Sequence, residues 1–238
     1  LIEEKLNGRE ASVMALVDDD TILPMVVSQD YKRLLDGDLG PNTGGMGALS
    51  PTTALPDSQL PKLVDQIFVP VVRELRRRGI RYTGFLYAGV MVDTDGSVKV
   101  IEFNCRLGDP ETQVLMLRLQ SDLFTALHAA ASGSLQSIDL RWRTDAAACV
   151  VAASRGYPEA VDDGKVIEGL FAPEDDLVVF QAGTTKDADG LIRTKGGRVL
   201  AVAAYGSDVP AALKRAYEGM ARISFDGMQF RKDIGKNN

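Results

Sequence analysis

Histidine is almost missing from this chain: one residue, His128, in 238. That excludes chemistry built on a histidine pair and metal centres with several imidazole ligands. Cysteine is nearly as scarce. Cys105 and Cys149 cannot build a disulfide framework, and reduced thiols in a cytoplasmic protein are the simpler reading. No apolar run approaches the ~18–20 residues that span a bilayer, and no signal-peptide pattern opens the chain, so no membrane partner is expected. Basic charge is not in excess either. The 27 Lys+Arg against 33 Asp+Glu give a net charge of −6, which argues against a nucleic-acid partner. What is there is ordinary: 45% hydrophobic and 25% charged residues, a globular composition at a length suiting one large domain or two small ones. Position 1 is Leu, and the opening residues read as part of a strand, so a piece of a longer chain is expected.

Apolar runs at 11–17 and 22–27 flank Asp18-Asp19-Asp20, which predicts a β-hairpin. Residues 28–54 have few apolar positions and four glycines between 40 and 47; they read as a long irregular loop, a feature that tends to be functional. Leu60, Leu63, Val64, Ile67, Val71, Val72 and Leu75 recur at a helical period across 57–78. Asp57 or Ser58 caps that helix, Arg76-Arg77-Arg78-Gly79 ends it in solvent, and Pro70 should kink it. Strands are expected at 84–92 and 98–104 about a turn at Asp93-Thr94-Asp95-Gly96. One helix over 110–133 carries His128 near its end. Past residue 140 come a small-apolar strand at 146–153, short glycine-punctuated β runs, and a last helix from Ser207 to Ile223 with Pro210 in its first turn.

Three segments point to chemistry. Residues i and i+2 of a strand face the same way, so Glu102 and Asn104 project together, with Lys99, Ile101 and Phe103 opposite. A carboxylate beside an amide oxygen is a hard donor pair suited to Mg²⁺ or Mn²⁺ held mostly by nucleotide phosphates and water; alone, it reads more simply as a solvent-facing pair on an edge strand. Arg106 follows, and its planar fork suits a carboxylate or phosphate. Asp109 and Pro110 are good helix-start residues, and Asp109 can cap and still face a site. The segment Gly40-Pro41-Asn42-Thr43-Gly44-Gly45-Met46-Gly47 is neither a P-loop nor a dinucleotide fingerprint; it is a flexible connector or a cradle of backbone N–H groups for an anion. By strand parity Cys105 faces away from Glu102 and reads as packing.

Together, IEEKLNGREAS (2–12), SQDYKR (28–33), GPNTGGMGALSP (40–51), YTGFLYAG (82–89), VIEFNCRLGDPETQ (100–113), GGRVLAVAA (196–204) and RKDIG (231–235) resemble the phosphoribosylamine–glycine ligase family of ATP-grasp enzymes. The likeness runs in family order over nearly the whole chain. It implies an α+β fold: the C-terminal half of an ATP-grasp unit over 1–140, an antiparallel sheet with helices, then a small β-rich domain with a C-terminal helix over 141–238. It implies ligation of glycine to 5-phosphoribosylamine through a glycyl phosphate, with ATP as co-substrate and Mg²⁺ or Mn²⁺ as cofactor, in purine biosynthesis. By position, Glu102 and Asn104 match the metal ligands. Glu3, Glu4 and Leu6 match the hinge at the adenine, and Glu10 a ribose contact. Asp30, Asn42, Thr43, Arg106 and Asp109 match residues around the amine and glycine sites, Arg106 being the candidate catalytic group.

Departures accompany the likeness. Tyr31 stands where the family commonly has His, Leu107 where Phe is common, and Ala88 and Gly89 offer no acidic ligand on the preceding strand. The resemblance also implies that the N-terminal substrate domain and the ATP lid, with its phosphate-binding lysine, are missing. These residues alone are therefore expected to be inactive and to bind ATP weakly. The chain's end shortly after RKDIG favours a parent with this one function. The rival readings are an ATP-grasp ligase or carboxylase with another substrate, and a non-catalytic nucleotide-binding module.

Overall fold

The computed structural model describes residues 2–236. Along the chain, strands β1 (Arg9–Asp18), β2 (Thr21–Pro24), β3 (Gln29–Asp30), β4 (Arg33–Leu35), β5 (Leu39–Asn42) and β6 (Gly47–Ser50) come first. Helices α1 (Leu60–Leu63) and α2 (Val69–Arg77) lead into β7 (Thr83–Val92) and β8 (Val98–Asn104), then α3 (Glu111–Arg118) and α4 (Leu123–Ser132). The remainder is β9 (Ala146–Ala153), β10 (Leu177–Gln181), β11 (Thr184–Lys186), β12 (Ile192–Thr194), β13 (Arg198–Gly206) and α5 (Val209–Met220). The mixed fold with antiparallel sheets is as expected. Residues 2–7, read as strand from the sequence, carry none. The elements gather into two compact units that interleave in sequence. One holds residues up to Gln29, Pro51–Gly108 and Leu119–Arg143; the other holds Asp30–Ser50, Asp109–Arg118 and the chain from Thr144 onward. Among the described residues no helix is long and apolar enough to cross a membrane.

The first unit is built on the sheet β2-β1-β7-β8. β1 and β7 pair antiparallel from Arg9↔Val92 to Asp18↔Thr83. The pairing Asp18↔Thr21 leaves Asp19-Asp20 as a two-residue hairpin turn, with Asp19 at φ 48°, which short carboxylate side chains tolerate. β2 stops at Pro24, which has no N–H to donate. Beyond it Met25 N still donates to the Met14 carbonyl at 2.8 Å, but the next bridge to β1 is Ser12↔Ser28, so the second arm does not run as a strand to 27. The expected helix over 57–78 is segmented. α1 passes into a π-helical turn, Val64–Phe68, before α2, and Pro70, which has no N–H to donate, follows just after that turn. Leu63, Ile67, Phe68 and Val72 bury against Val13, Ala15 and Val17 of β1 and Leu86, Ala88 and Val90 of β7. On the opposite sheet face, Leu16 and Phe85 pack against Ala126 and Ala130 of α4.

The second unit is a sheet, β10-β13-β9-β6-β3, covered on both faces. Every residue of β9, AAACVVAA, is buried, the near-continuous apolar run expected of a strand with helices on both sides. Alternation sorts its side chains: Ala147, Cys149 and Val151 pack with Val114 of α3, while Val150 and Ala152 share a core with Ala216 and Met220 of α5. A Cβ at Gly219 would lie 2.9 Å from Leu177 Cδ1 and Val202 Cγ1, so α5 approaches the sheet too closely there for a side chain.

Two further expectations change. The single helix over 110–133 is two helices. Leu119 bridges Trp142, Gln120 N–H donates to the Arg141 carbonyl at 2.9 Å, and Asp122 starts α4 by accepting from Thr125 N at 2.6 Å. A backbone that bonds outward at 119–122 cannot continue the helical ladder. The loop over 28–54 is not irregular: it contains β3, β4, β5 and β6.

Candidate functional site

Register sets which residues share the α4 face of the first sheet. Cross-strand partners share a face, and the pairings give three rows: Glu10–Met91–Lys99, Ser12–Gly89–Glu102 and Met14–Tyr87–Asn104. Simple alternation puts Lys99 opposite Glu102. The structure puts them on the same face because the β7–β8 register shifts by one residue between Gly89 and Val90, a β-bulge that absorbs Ile101 and resets the parity. Glu102 and Asn104 do project together, with Asn104 Nδ2 3.2 Å from Glu102 Oε1. Gly89 makes space beside them: a Cβ there would be 3.3 Å from Glu102 Cγ.

Strands β1, β7 and β8 also border a cavity of about 520 Å³. Glu3, Glu4, Leu6 and Glu10 line it, together with Met91 and Ile101. Its volume lies in the range of small-molecule sites, and its mixture of apolar side chains with a few polar groups is typical of them. Lys99 crosses to Glu4, Nζ to Oε1 3.0 Å, and ties the opening segment to β8. Met91, Lys99 and Ile101 were not anticipated from the sequence. Their signal was the strand pairing, which sequence alone does not register.

Arg106 is exposed just past β8, and its Nη1 donates to the Leu107 carbonyl at 3.0 Å. Cys105 is exposed rather than packed, because the strand ends at Asn104. Its neighbour Tyr82 has a phenol pushed well above its ordinary range, by burial first and then by Cys105. His128 is exposed on the last turns of α4, 6.1 Å from the Phe124 ring. Among the described residues no cluster of three His, Cys, Asp or Glu side chains could hold a metal by itself. The Glu102–Asn104 pair fits a divalent cation that takes its other ligands from a nucleotide and water.

In the second unit the glycine-rich segment is tightly bonded. Thr43 N and Oγ1 both donate to the Lys32 carbonyl, at 2.8 and 2.7 Å. Gly45 N donates to Thr43 Oγ1 at 3.0 Å, Gly44 N to Tyr157 Oη at 2.9 Å, and Met46 N to the Tyr31 carbonyl at 2.8 Å. These N–H groups are spent inside the protein, so the segment is neither a slack connector nor a cradle of waiting donors. Its glycines serve close packing. Gly45 sits at φ +116°, and a Cβ there would stand 2.4 Å from Pro110 Cδ and 2.6 Å from Asp30 Oδ1.

Asp109 does not serve as a simple helix cap. Its Oδ1 accepts from Gln113 Nε2 and its Oδ2 from Arg198 Nη2, both at 2.9 Å. Asn42 lies exposed on β5, paired with Arg33 of β4. Asp30 ends β3, half-buried. Arg198 and Tyr157 are the residues that the sequence reading missed, although Arg198 lies within the quoted GGRVLAVAA segment. Cys149 is fully buried, and burial pushes its thiol far up, so it stays a neutral apolar filler.

The RKDIG segment explains Tyr31. Arg231 is 1% exposed, donates Nε and Nη2 to the two Asp233 oxygens at 2.7 and 2.9 Å, and Nη1 to Asp38 at 2.7 Å. Its guanidinium lies 5.3 Å from the centroid of the Tyr31 ring. Burial opposes the charge on Asp233, but Arg231 and the Gly37 N–H outweigh it and hold the carboxyl down at about 2.

These features define a class. Biotin carboxylase domains of larger carboxylases share the fold, with a TM-score of 0.64 at 14% identity over 93% of this chain and 48% of the 2-oxoglutarate carboxylase domain; the architecture is ATP-grasp. The particular family is narrower. Two family models match, the ATP-grasp (A) domain of phosphoribosylglycinamide synthetase over residues 1–112 and its C domain over 147–237, and the chain belongs to that family. It is 48% identical to the phosphoribosylamine–glycine ligase of Ralstonia nicotianae over 99% of its own length and 56% of that protein's. The Vibrio parahaemolyticus ligase is also 48% identical, over 99% and 55%. A crystal structure of the Thermotoga maritima ligase superposes with a TM-score of 0.86 at 37% identity, over 97% of this chain and 56% of that one. The chain thus spans about half the length of the relatives it matches.

Proposed function

We propose that this chain is part of a ligase that joins glycine to 5-phosphoribosylamine at the expense of ATP, giving glycinamide ribonucleotide, ADP and phosphate. The observation that carries this reading is the 48% identity to phosphoribosylamine–glycine ligases along 99% of the chain. In this reading the glycine carboxylate attacks the γ-phosphate of ATP, and the amine then displaces phosphate from the glycyl phosphate. No enzyme nucleophile is needed; positioning and charge neutralisation carry the rate.

Glu3, Glu4 and Leu6 would meet the adenine and Glu10 the ribose, which the shared cavity supports. Glu102 and Asn104 would hold Mg²⁺ or Mn²⁺, whose charge offsets that of the transferring phosphoryl group. Arg106, which is exposed, would steady the acyl phosphate or the glycine carboxylate. Asp30, Asn42, Thr43 and Asp109 would shape the amine and glycine sites; Thr43 does so through the turn it bonds rather than by a spare hydroxyl. In this reading the sequence domains would run over 1–140 and 141–238, and the enzyme would work in the cytoplasm.

The test is ADP formation with glycine, phosphoribosylamine and ATP. A full-length chain, in which these residues are joined to the part of the relatives they do not span, should turn over with both glycine and the amine present. The 238 residues alone should not. Turnover by the 238 residues alone, or turnover by the full-length chain with a different carboxylate or amine in preference, would overturn the reading.

A further inference from the structure

Arg198 opens β13 with its side chain 22% exposed. Its Nη1 donates to the carbonyls of Gly44 at 2.7 Å, Asp109 at 2.7 Å and Gly45 at 3.4 Å. Its Nη2 donates to Asp109 Oδ2 at 2.9 Å. One guanidinium therefore joins a turn on the glycine-rich segment to both the backbone and the carboxylate of Asp109, which lies more than sixty residues further along the chain. Tyr157 holds the same glycine through its other backbone group: its hydroxyl accepts from Gly44 N at 2.9 Å. The ring lies over Gly197, where a Cβ would be 2.2 Å from Tyr157 Cδ2. The Gly196-Gly197-Arg198 sequence thus supplies both the room for Tyr157 and the fork that grips the turn. A planar guanidinium with donors in fixed directions can hold these acceptors at once; a lysine ammonium cannot reproduce that geometry.

We propose that Arg198 is a positioning residue for the ligase reaction: it fixes the Asp109 carboxylate against the Asn42–Gly45 turn and so sets affinity for glycine and the amine. The proposal rests on the ligase reading above. Arg198 touches no reacting group in this account and acts only through Asp109 and the turn. Charge-assisted hydrogen bonds to a carboxylate and to backbone carbonyls are stronger than neutral ones, so loosening them should be read in substrate binding.

The experiment uses the full-length enzyme with Arg198→Lys and, as a milder change that keeps the arginine, Tyr157→Phe. Arg198→Lys should raise KM for glycine or the amine about tenfold or more, and leave KM for ATP within about twofold, because the nucleotide residues belong to the other unit. Tyr157→Phe should shift the same KM in the same direction by less. Methylguanidinium added to Arg198→Ala should restore part of the lost affinity. Amide exchange at Gly44 and Gly45 should quicken in Arg198→Lys. A merely structural arginine would lower stability and active fraction without splitting the KM values. If the wild-type enzyme turns over and both variants leave the glycine and amine KM unchanged, or raise all three KM values together, the positioning role is refuted while the ligase reading stands. If the wild-type enzyme fails to turn over, the ligase reading itself fails and this proposal with it.

Discussion

Glu102, Asn104 and Arg106 stand at the open end of an edge strand, while Thr43, Gly44, Gly45 and Asp109 are held by a network that consumes their donors and acceptors. The first set makes one contact between Asn104 and Glu102 and one from Arg106 to the next carbonyl. The second is gripped by Arg198, Tyr157, Gln113 and Lys32. Under the proposed function the difference suits two tasks. A metal–nucleotide site receives most of its ligands from the nucleotide and needs donors left accessible. A site that must orient two small substrates gains by having its geometry fixed before they arrive. Stability and function should therefore come apart in the first region and move together in the second.

The largest expected effect tests the second region's rigidity. Asp233→Ala leaves the Arg231 guanidinium buried and short of its carboxylate, and breaking such a pair costs about 3–5 kcal/mol; urea unfolding should register it as a lower midpoint. Gly45→Ala comes next. It places a side chain at φ +116° against Pro110 and Asp30, and strain with overpacking should cost about 2–3 kcal/mol by the same measurement. Glu102→Gln sharpens the contrast: stability should stay within about 0.5 kcal/mol, while ligase activity of the full-length enzyme falls by about a hundredfold or more. An unfolding cost for Glu102→Gln near that of Gly45→Ala would break the comparison.

The smallest effect is a pH dependence. Asp233 is depressed in the folded chain, so its pairing with Arg231 contributes stability above the ordinary carboxylate range. That contribution is lost as pH falls from about 4 toward 2. Asp233→Asn should flatten this part of the stability–pH curve, and an unchanged slope would show that another carboxylate carries it.

The sheet strands and the shared face of Glu102 and Asn104 were legible because alternation and i, i+2 spacing are local properties. Lys99 was misplaced because a β-bulge at Ile101 depends on the partner strand, and nothing in residues 98–104 announces it. The glycine segment read as irregular because its strands are short and its apolar residues few. Its order comes from Tyr157 and Arg198, which lie more than a hundred residues away. The helix over 110–133 looked continuous because Leu117, Leu119 and Leu123 keep a roughly helical apolar pattern; the bonds from 119–122 to Arg141 and Trp142 that break it are tertiary. Tyr31 was an unexplained departure until its ring was found beside a guanidinium 200 residues on.

The most direct test is substrate-dependent ADP release by the full-length enzyme, with Glu102→Gln as control. The account predicts ADP formation that requires glycine and phosphoribosylamine together and collapses in the variant at unchanged stability. ADP release that ignores either substrate, or that survives Glu102→Gln, would contradict it.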